Sequence, residues 1–161
     1  MTDATTEIEA TVREYLETRA AIERKELDWT ALRRFFTDDA VYIDPAWGRV
    51  EGIDAIAHFF DESMRGLEDW QFPIEGWAVI GDGLVLVKWT QILPAGPDGI
   101  RPRQSGLSTL RYAGNGKFDY DEDILNMAHV NEDLRATGWR PSPEFVFPPR
   151  EVDRNWSRPA R

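Results

Sequence analysis

The sequence predicts an α+β domain, and three observations carry that prediction. Apolar residues recur at three- and four-residue spacing through the first 65 positions and then alternate every second residue across 71–127. Two glycine-centred turns, Gly81-Asp82-Gly83 and Gly114-Asn115-Gly116, divide the alternating stretch into hairpins. A strand pair between the second and third helical patterns completes the order α-α-β-β-α-β-β-β-β, which suits a curved antiparallel sheet packed on three helices.

Residues 6–26 put Ile8, Val12, Tyr15, Leu16, Arg19 and Ile22 on one side of an amphipathic helix. Thr5 or Thr6 is its expected cap, and Glu7 and Glu9 complement the dipole of its first turn. Asp28 is expected to cap a shorter helix with Trp29, Leu32, Phe35 and Phe36 as its buried stripe. Residues 41–44 form a short strand, and 47–51 its antiparallel return. Gly52 leads into a helix over 53–65 that buries Ile53, Ile56, Ala57, Phe60 and Met64 and turns His58 to solvent.

The sheet follows, with a strand over 71–80 in which Pro73 marks an edge or a bulge. The strand over 84–93 carries Val85, Val87, Trp89 and Gln91 on one face and Leu86, Lys88 and Thr90 on the other. Strands over 105–112 and 118–127 complete the meander. A helical turn then ends at Gly138.

At 161 residues the chain is long enough for one full core. A net charge of -10 opposes nucleic acid or an anionic membrane as partner. With no cysteine there are no disulfides, thiolate nucleophiles or zinc-thiolate sites. Together with an acidic N-terminus and no apolar run of membrane length, this predicts a cytoplasmic protein. The charge is uneven, for 139–161 carries five arginines against three acids. The same stretch holds five prolines, with Trp139, Phe145, Val146, Phe147 and Trp156 among them. The chain therefore divides into a domain, 1–138, and a Pro-rich arm, 139–161, expected to lie extended over the domain or over a second subunit.

Phosphate-binding glycine loops, dinucleotide fingerprints and nucleophile elbows are absent. Asp119-Tyr120-Asp121-Glu122-Asp123 starts like a calcium loop, but Ile124 stands at the glycine position and Val130 at the bidentate glutamate. Read as a strand, it puts Asp119, Asp121 and Asp123 on one face and Glu122 and Asn126 on the other. Each buried carboxylate needs a partner, so the first two aspartates are expected near solvent and Asp123 inside. His129 has no companion ligands and reads as a structural or rim histidine. Asp44, directly before Pro45 at a strand end, either opens a turn or aims a carboxylate into a cavity.

The segment 28–45, DWTALRRFFTDDAVYIDP, the G-x-x-A-I-x-x-F-F pattern from Gly52 and the Gly116-Lys117 hairpin carry a resemblance. The chain resembles the nuclear transport factor 2-like superfamily, which holds SnoaL-like polyketide cyclases, ketosteroid isomerases and limonene epoxide hydrolases. The resemblance covers about 8–135 and implies a cone-shaped sheet around an apolar pocket, no cofactor and a homodimer. It makes Asp44 the counterpart of the isomerase base. Counting without gaps, the isomerase oxyanion donors fall on Ala20 and Ser108. Of the epoxide hydrolase set, Tyr42 and Asp123 are kept, the water-holding amide becomes Asp44, and the arginine and second aspartate become Trp89 and Gln91.

The resulting expectation is a cofactor-independent enzyme, with no metal, acting on a hydrophobic carbonyl or polycyclic small molecule by aspartate acid-base chemistry of isomerase, cyclase or dehydratase type, ahead of epoxide hydrolysis. Asp44, Asp123 and Tyr42 are its catalytic candidates, and Trp89, Gln91, Ser108, Trp47 and Asn126 its substrate-binding candidates. The alternative is a non-catalytic binding or assembly module of the same fold.

Overall fold

Helices and sheet appear in the expected order in the computed structural model, which describes residues 3–81 and 83–160; Asp82, the centre of the first predicted hairpin turn, lies outside the described residues. Helix α1 spans Asp3–Glu23, so Thr5 and Thr6 lie within it and do not cap it. A helix propagates past the last apolar position of its stripe at little cost, because each added residue adds a hydrogen bond. A 3-10 helix, Trp29–Phe35, follows; Asp28 stands at its N-cap, with no hydrogen bond from the side chain. Strands β1 (Phe36–Asp44) and β2 (Gly48–Glu51) form the edge hairpin, and α2 (Ile53–Met64) crosses back. Strands β3 (Ile74–Ile80), β4 (Leu84–Ile92), β5 (Arg103–Gly114) and β6 (Lys117–Leu125) form the meander. Helix α3 (Met127–Thr137) then ends at Gly138, whose φ of 69° closes the helix in the left-handed region.

The six strands run β2-β1-β6-β5-β4-β3 in one sheet. Every neighbour pair is antiparallel except β1 and β6, which run parallel. Such a pair needs a long connection, and α2 with the meander supplies it. On the concave face, Phe36, Val85, Val87, Leu110 and Phe118 pack against Val12 and Tyr15 of α1, Leu32 of the 3-10 helix and Phe60 of α2. Tyr15 meets Phe35 and Phe118 edge-on, at 5.4 and 5.7 Å between ring centroids. The buried residues of α2 are Ile56, Phe59 and Phe60, so Phe59 joins the predicted stripe while Ile53, Ala57 and Met64 are half-buried, and His58 is exposed and faces Glu62.

One irregularity in β6 decides what the concave face carries. Tyr112 pairs with Phe118 and Arg111 with Tyr120, so Asp119 is an extra residue in the ladder. Such a bulge breaks the alternation of faces. Phe118 belongs to the inner core, whereas Tyr120 clusters with Val41 and Ile43 on the outer face. Asp119 joins that outer face and makes a bidentate pair with Arg111, at 2.7 and 2.8 Å. After the bulge, Asp121 and Asp123 face inward. The expectation that Asp121 lies near solvent is thereby corrected, for it is fully buried.

Residues 139–160 lie over the chain's own domain without helix or strand. Trp139 packs on Trp70, Phe145 on Trp139 and Phe147 on Phe145, with centroids 5.7, 5.5 and 4.9 Å apart. Beyond Pro148 the chain straps the outer face of the sheet. Arg49 donates to the carbonyls of Asn155 and Ser157, Tyr120 to that of Trp156, and Arg111 to that of Pro159. Arg158 stacks over Tyr120 at 5.5 Å.

Candidate active site

A cavity of about 330 Å³ opens between the concave face, α1, α2, α3 and the first half of the arm. Its walls are mostly apolar: Trp29, Phe59, Phe72, Trp89, Leu125 and Met127 contribute, and Phe145, Val146 and Phe147 close one side. A small set of polar groups reaches into it.

Asp44 ends β1, where Pro45 stops the ladder and turns the chain. Its Oδ1 accepts the backbone N–H groups of Ala46 and Trp47, each at 2.7 Å, which leaves Oδ2 for the cavity. The turn-opening and cavity-facing roles therefore coexist in one carboxyl group. Its side chain is half-buried in the cavity wall. Burial, reinforced by the charge of Asp123, raises the Asp44 pKa from 3.8 to about 6 against the pull of the two N–H donors.

Asp123 is held from both sides. The Tyr42 hydroxyl donates to Oδ2 at 2.6 Å, and the Ser108 hydroxyl donates to Oδ1. Trp89 in turn donates its indole N–H to Ser108 at 2.9 Å. Burial pushes the Asp123 carboxyl up, and the two hydroxyl donors pull it down. Asp121 has neither help: both its oxygens are buried and unpartnered. Burial, then the nearby Asp123 charge, raises its pKa well above the usual carboxylate range. Of these two neighbours, Asp123 has the side-chain donors that favour a carboxylate, and Asp121 has none.

Of the residues singled out from sequence, Tyr42, Asp44, Trp47, Trp89, Gln91 and Asp123 border the cavity. Ser108 stands behind Asp123 and orients it. Asn126 is corrected: it is exposed, and its side chain caps α3 by accepting from the backbone N–H of Ala128 and His129. At a strand-to-helix junction an asparagine satisfies otherwise orphaned helix donors, which takes up its side-chain oxygen. Sequence reasoning missed Tyr15, Arg19 and Asp121. Gap-free counting put an isomerase-type tyrosine at Ala20, whereas Tyr15 is the tyrosine that α1 brings to the cavity. The signal for Arg19 was its place on an otherwise apolar stripe. Among the described residues, no group of three or more His, Asp or Glu is arranged to hold a metal ion.

The raised Asp44 pKa has a measurable cost. The native state holds this proton more tightly than the unfolded chain, so the stabilisation is complete below about pH 4 and is lost as pH rises through about 6. Relative to Asp44→Asn, the wild type is expected to lose about 3 kcal/mol over that window, since one pKa unit is worth about 1.4 kcal/mol. Urea unfolding of both proteins at several pH values measures the difference. Parallel pH profiles would remove the burial of Asp44 as the cause.

The comparisons agree with this architecture. The family model for a SnoaL-like domain matches residues 12–119. Among curated proteins, none matches the chain. A candidate SnoaL-like polyketide cyclase from Jannaschia sp. CCS1 superposes with a TM-score of 0.65 at 18% identity, covering 88% of this chain and 98% of that one. SalBIII, described as an epoxide hydrolase/cyclase-like enzyme in pyran ring formation in the polyether salinomycin, gives 0.59 at 20% identity, covering 80% and 96%. A protein of ketosteroid isomerase-like fold from Catenulispora acidiphila DSM 44928, in complex with trimethylamine, gives 0.55 at 20% identity, covering 71% and 88%. With its family model matched over two thirds of its length and its sheet curved around a small-molecule-sized cavity, the chain belongs to the SnoaL-like domain family.

Proposed function

We propose that the cavity carries out cofactor-independent proton transfer on a hydrophobic carbonyl compound or polycyclic small molecule, with Asp44 as the base. The observation that carries this reading is the state of Asp44: one oxygen is anchored by two backbone N–H groups, the other faces an apolar cavity, and the pKa lies at about 6. A general base works best when its pKa approaches the working pH. Asp44 Oδ2 takes a proton from a carbon next to the carbonyl, and the C–H electron pair moves toward the carbonyl oxygen. Returning that proton elsewhere gives isomerisation, attack of the carbanion on a second carbonyl gives cyclisation, and loss of a β-hydroxyl gives dehydration. Asp123 and Tyr42 act as the acid or orienting pair. A homodimer, through family likeness, and a cytoplasmic location, through composition, belong to the same reading, and the cavity chemistry depends on neither.

A ligand-binding module without chemistry is the competing reading, and the satisfied state of Asp123 favours it, since both oxygens are already engaged. Deuterium exchange separates the two. With a panel of hydrophobic ketones in deuterated water, the protein should speed label incorporation next to the carbonyl, with a rate that rises through about pH 6 and then levels. Ketones that bind yet exchange no faster than in buffer would sink the enzyme reading and leave the binder.

A further inference from the structure

Arg19 is a buried cation at the cavity whose Nε makes no hydrogen bond. It lies on the buried side of α1, is 6% exposed, and borders the cavity. Its guanidinium stacks over Trp29 at 5.1 Å. Its Nε is buried without a partner, and among the described residues no carboxylate makes an ion pair with it. Tyr15 is its polar neighbour. A guanidinium does not discharge at any physiological pH, and keeping one in an apolar cavity without a paired anion is costly. The acids within reach of its charge, Glu23, Asp121 and Asp123, are pushed up by burial and pulled down by Arg19, and two of them are engaged elsewhere: Glu23 accepts the Phe72 N–H, and Asp123 accepts the Tyr42 and Ser108 hydroxyls. What the buried Nε lacks is an acceptor oxygen.

We infer that Arg19 receives the oxygen of the bound ligand, so that the substrate is a hydrophobic ketone or acidic enol whose oxygen gains negative charge against the guanidinium while Asp44 holds the proton. This rests on the proton-transfer reading above. The balance is simple: the carbon–hydrogen bond breaks, the proton goes to Asp44 Oδ2, the bonding pair becomes the new C=C bond, and the carbonyl π pair settles on the oxygen beside Arg19. Proton return reverses the flow, and no oxidant or further reactant takes part. Donors already aimed at the position of developing charge contribute most in a site closed to water. The stacking of Arg19 on Trp29 supplies that prior alignment.

The test uses 4-nitro-1-naphthol, whose absorbance reports its own ionisation, and its methyl ether, which cannot ionise. The full-length wild type should lower the apparent pKa of the bound naphthol relative to the free dye. It should bind the naphtholate at least about tenfold more tightly than Arg19→Met does, the scale of one charge-assisted hydrogen bond. Arg19→Lys should retain part of that preference, and the ether should bind wild type and both variants alike. A dye pKa raised on binding to the wild type overturns the inference with no variant needed. Equal losses for naphthol and ether in Arg19→Met also overturn it, since Arg19 would then only be holding the wall. The outcome is separable from the proton-transfer reading: naphtholate preference without ketone exchange keeps the Arg19 site and removes the chemistry, and exchange without the preference removes Arg19 alone.

Discussion

Asp44→Asn is expected to lower turnover at least about a hundredfold, the lower end for loss of a general base, while leaving the fold intact. The substitution is close to isosteric. The amide oxygen can still accept the N–H groups of Ala46 and Trp47 that Asp44 Oδ1 now accepts, so the turn after β1 survives. What disappears is the free carboxylate oxygen in the cavity. Ligand affinity should change little, because the apolar walls and the Tyr42–Asp123–Ser108 chain are untouched. The effect should therefore fall on kcat, with KM nearly constant. Any ketone found by exchange serves for the measurement, and wild-type kcat in the variant would move the base elsewhere, with Asp123 next in line.

Gly106→Ala is expected to destabilise the fold through a single added methyl group. Gly106 lies opposite Trp89 in the β4–β5 ladder, and a Cβ there would fall 2.4 Å from two carbons of the indole ring. Trp89 has little freedom to withdraw: it is 6% exposed, donates to Ser108, and packs against Phe72 with ring centroids 6.1 Å apart. Overpacking of this kind costs about 1–3 kcal/mol. Urea unfolding gives the loss, and the near-ultraviolet circular dichroism of Trp89 gives its displacement. Because Trp89 positions Ser108 and Ser108 positions Asp123, the same change should disturb a carboxylate that Gly106 never touches. An alanine variant as stable as the wild type, with an unaltered spectrum, would mean that the indole has space to move aside.

The element order was legible in the sequence because each element has its own period and its own stop. Val85, Val87, Trp89 and Gln91 share the inner face of β4 as the alternation requires, and Pro45 ends β1 as its chemistry requires. Asp44 and Tyr42 reach the cavity for the same local reasons, joined to a resemblance that supplied the cone, whereas Asp123 reaches it only through the extra residue at Asp119. What stayed hidden depends on partners distant in the chain. The inward turn of Asp121 follows from the register of β6 against β5, which no pattern within β6 reveals. Arg19 could be seen as a misfit on an apolar helix face, but the Trp29 ring beneath it and the acids across from it belong to other elements. Asn126 reads as a substrate-binding residue until its place at the start of α3 is known. The arm's aromatic residues pointed to packing, and the sequence left open that they would wall the chain's own cavity.

The extra residue at Asp119 means that the acidity of the cavity floor is written in backbone length as much as in side-chain identity. With Phe118 fixed inward, an unbroken β6 would face Tyr120, Glu122 and Ile124 into the cavity and send Asp121 and Asp123 outward. A single insertion or deletion beside the hairpin can therefore exchange one whole lining for another without altering a single letter downstream. Such a shift of parity is a shorter route to a new floor than a series of point substitutions. Aligned positions past this bulge are comparable between relatives only when both chains carry it.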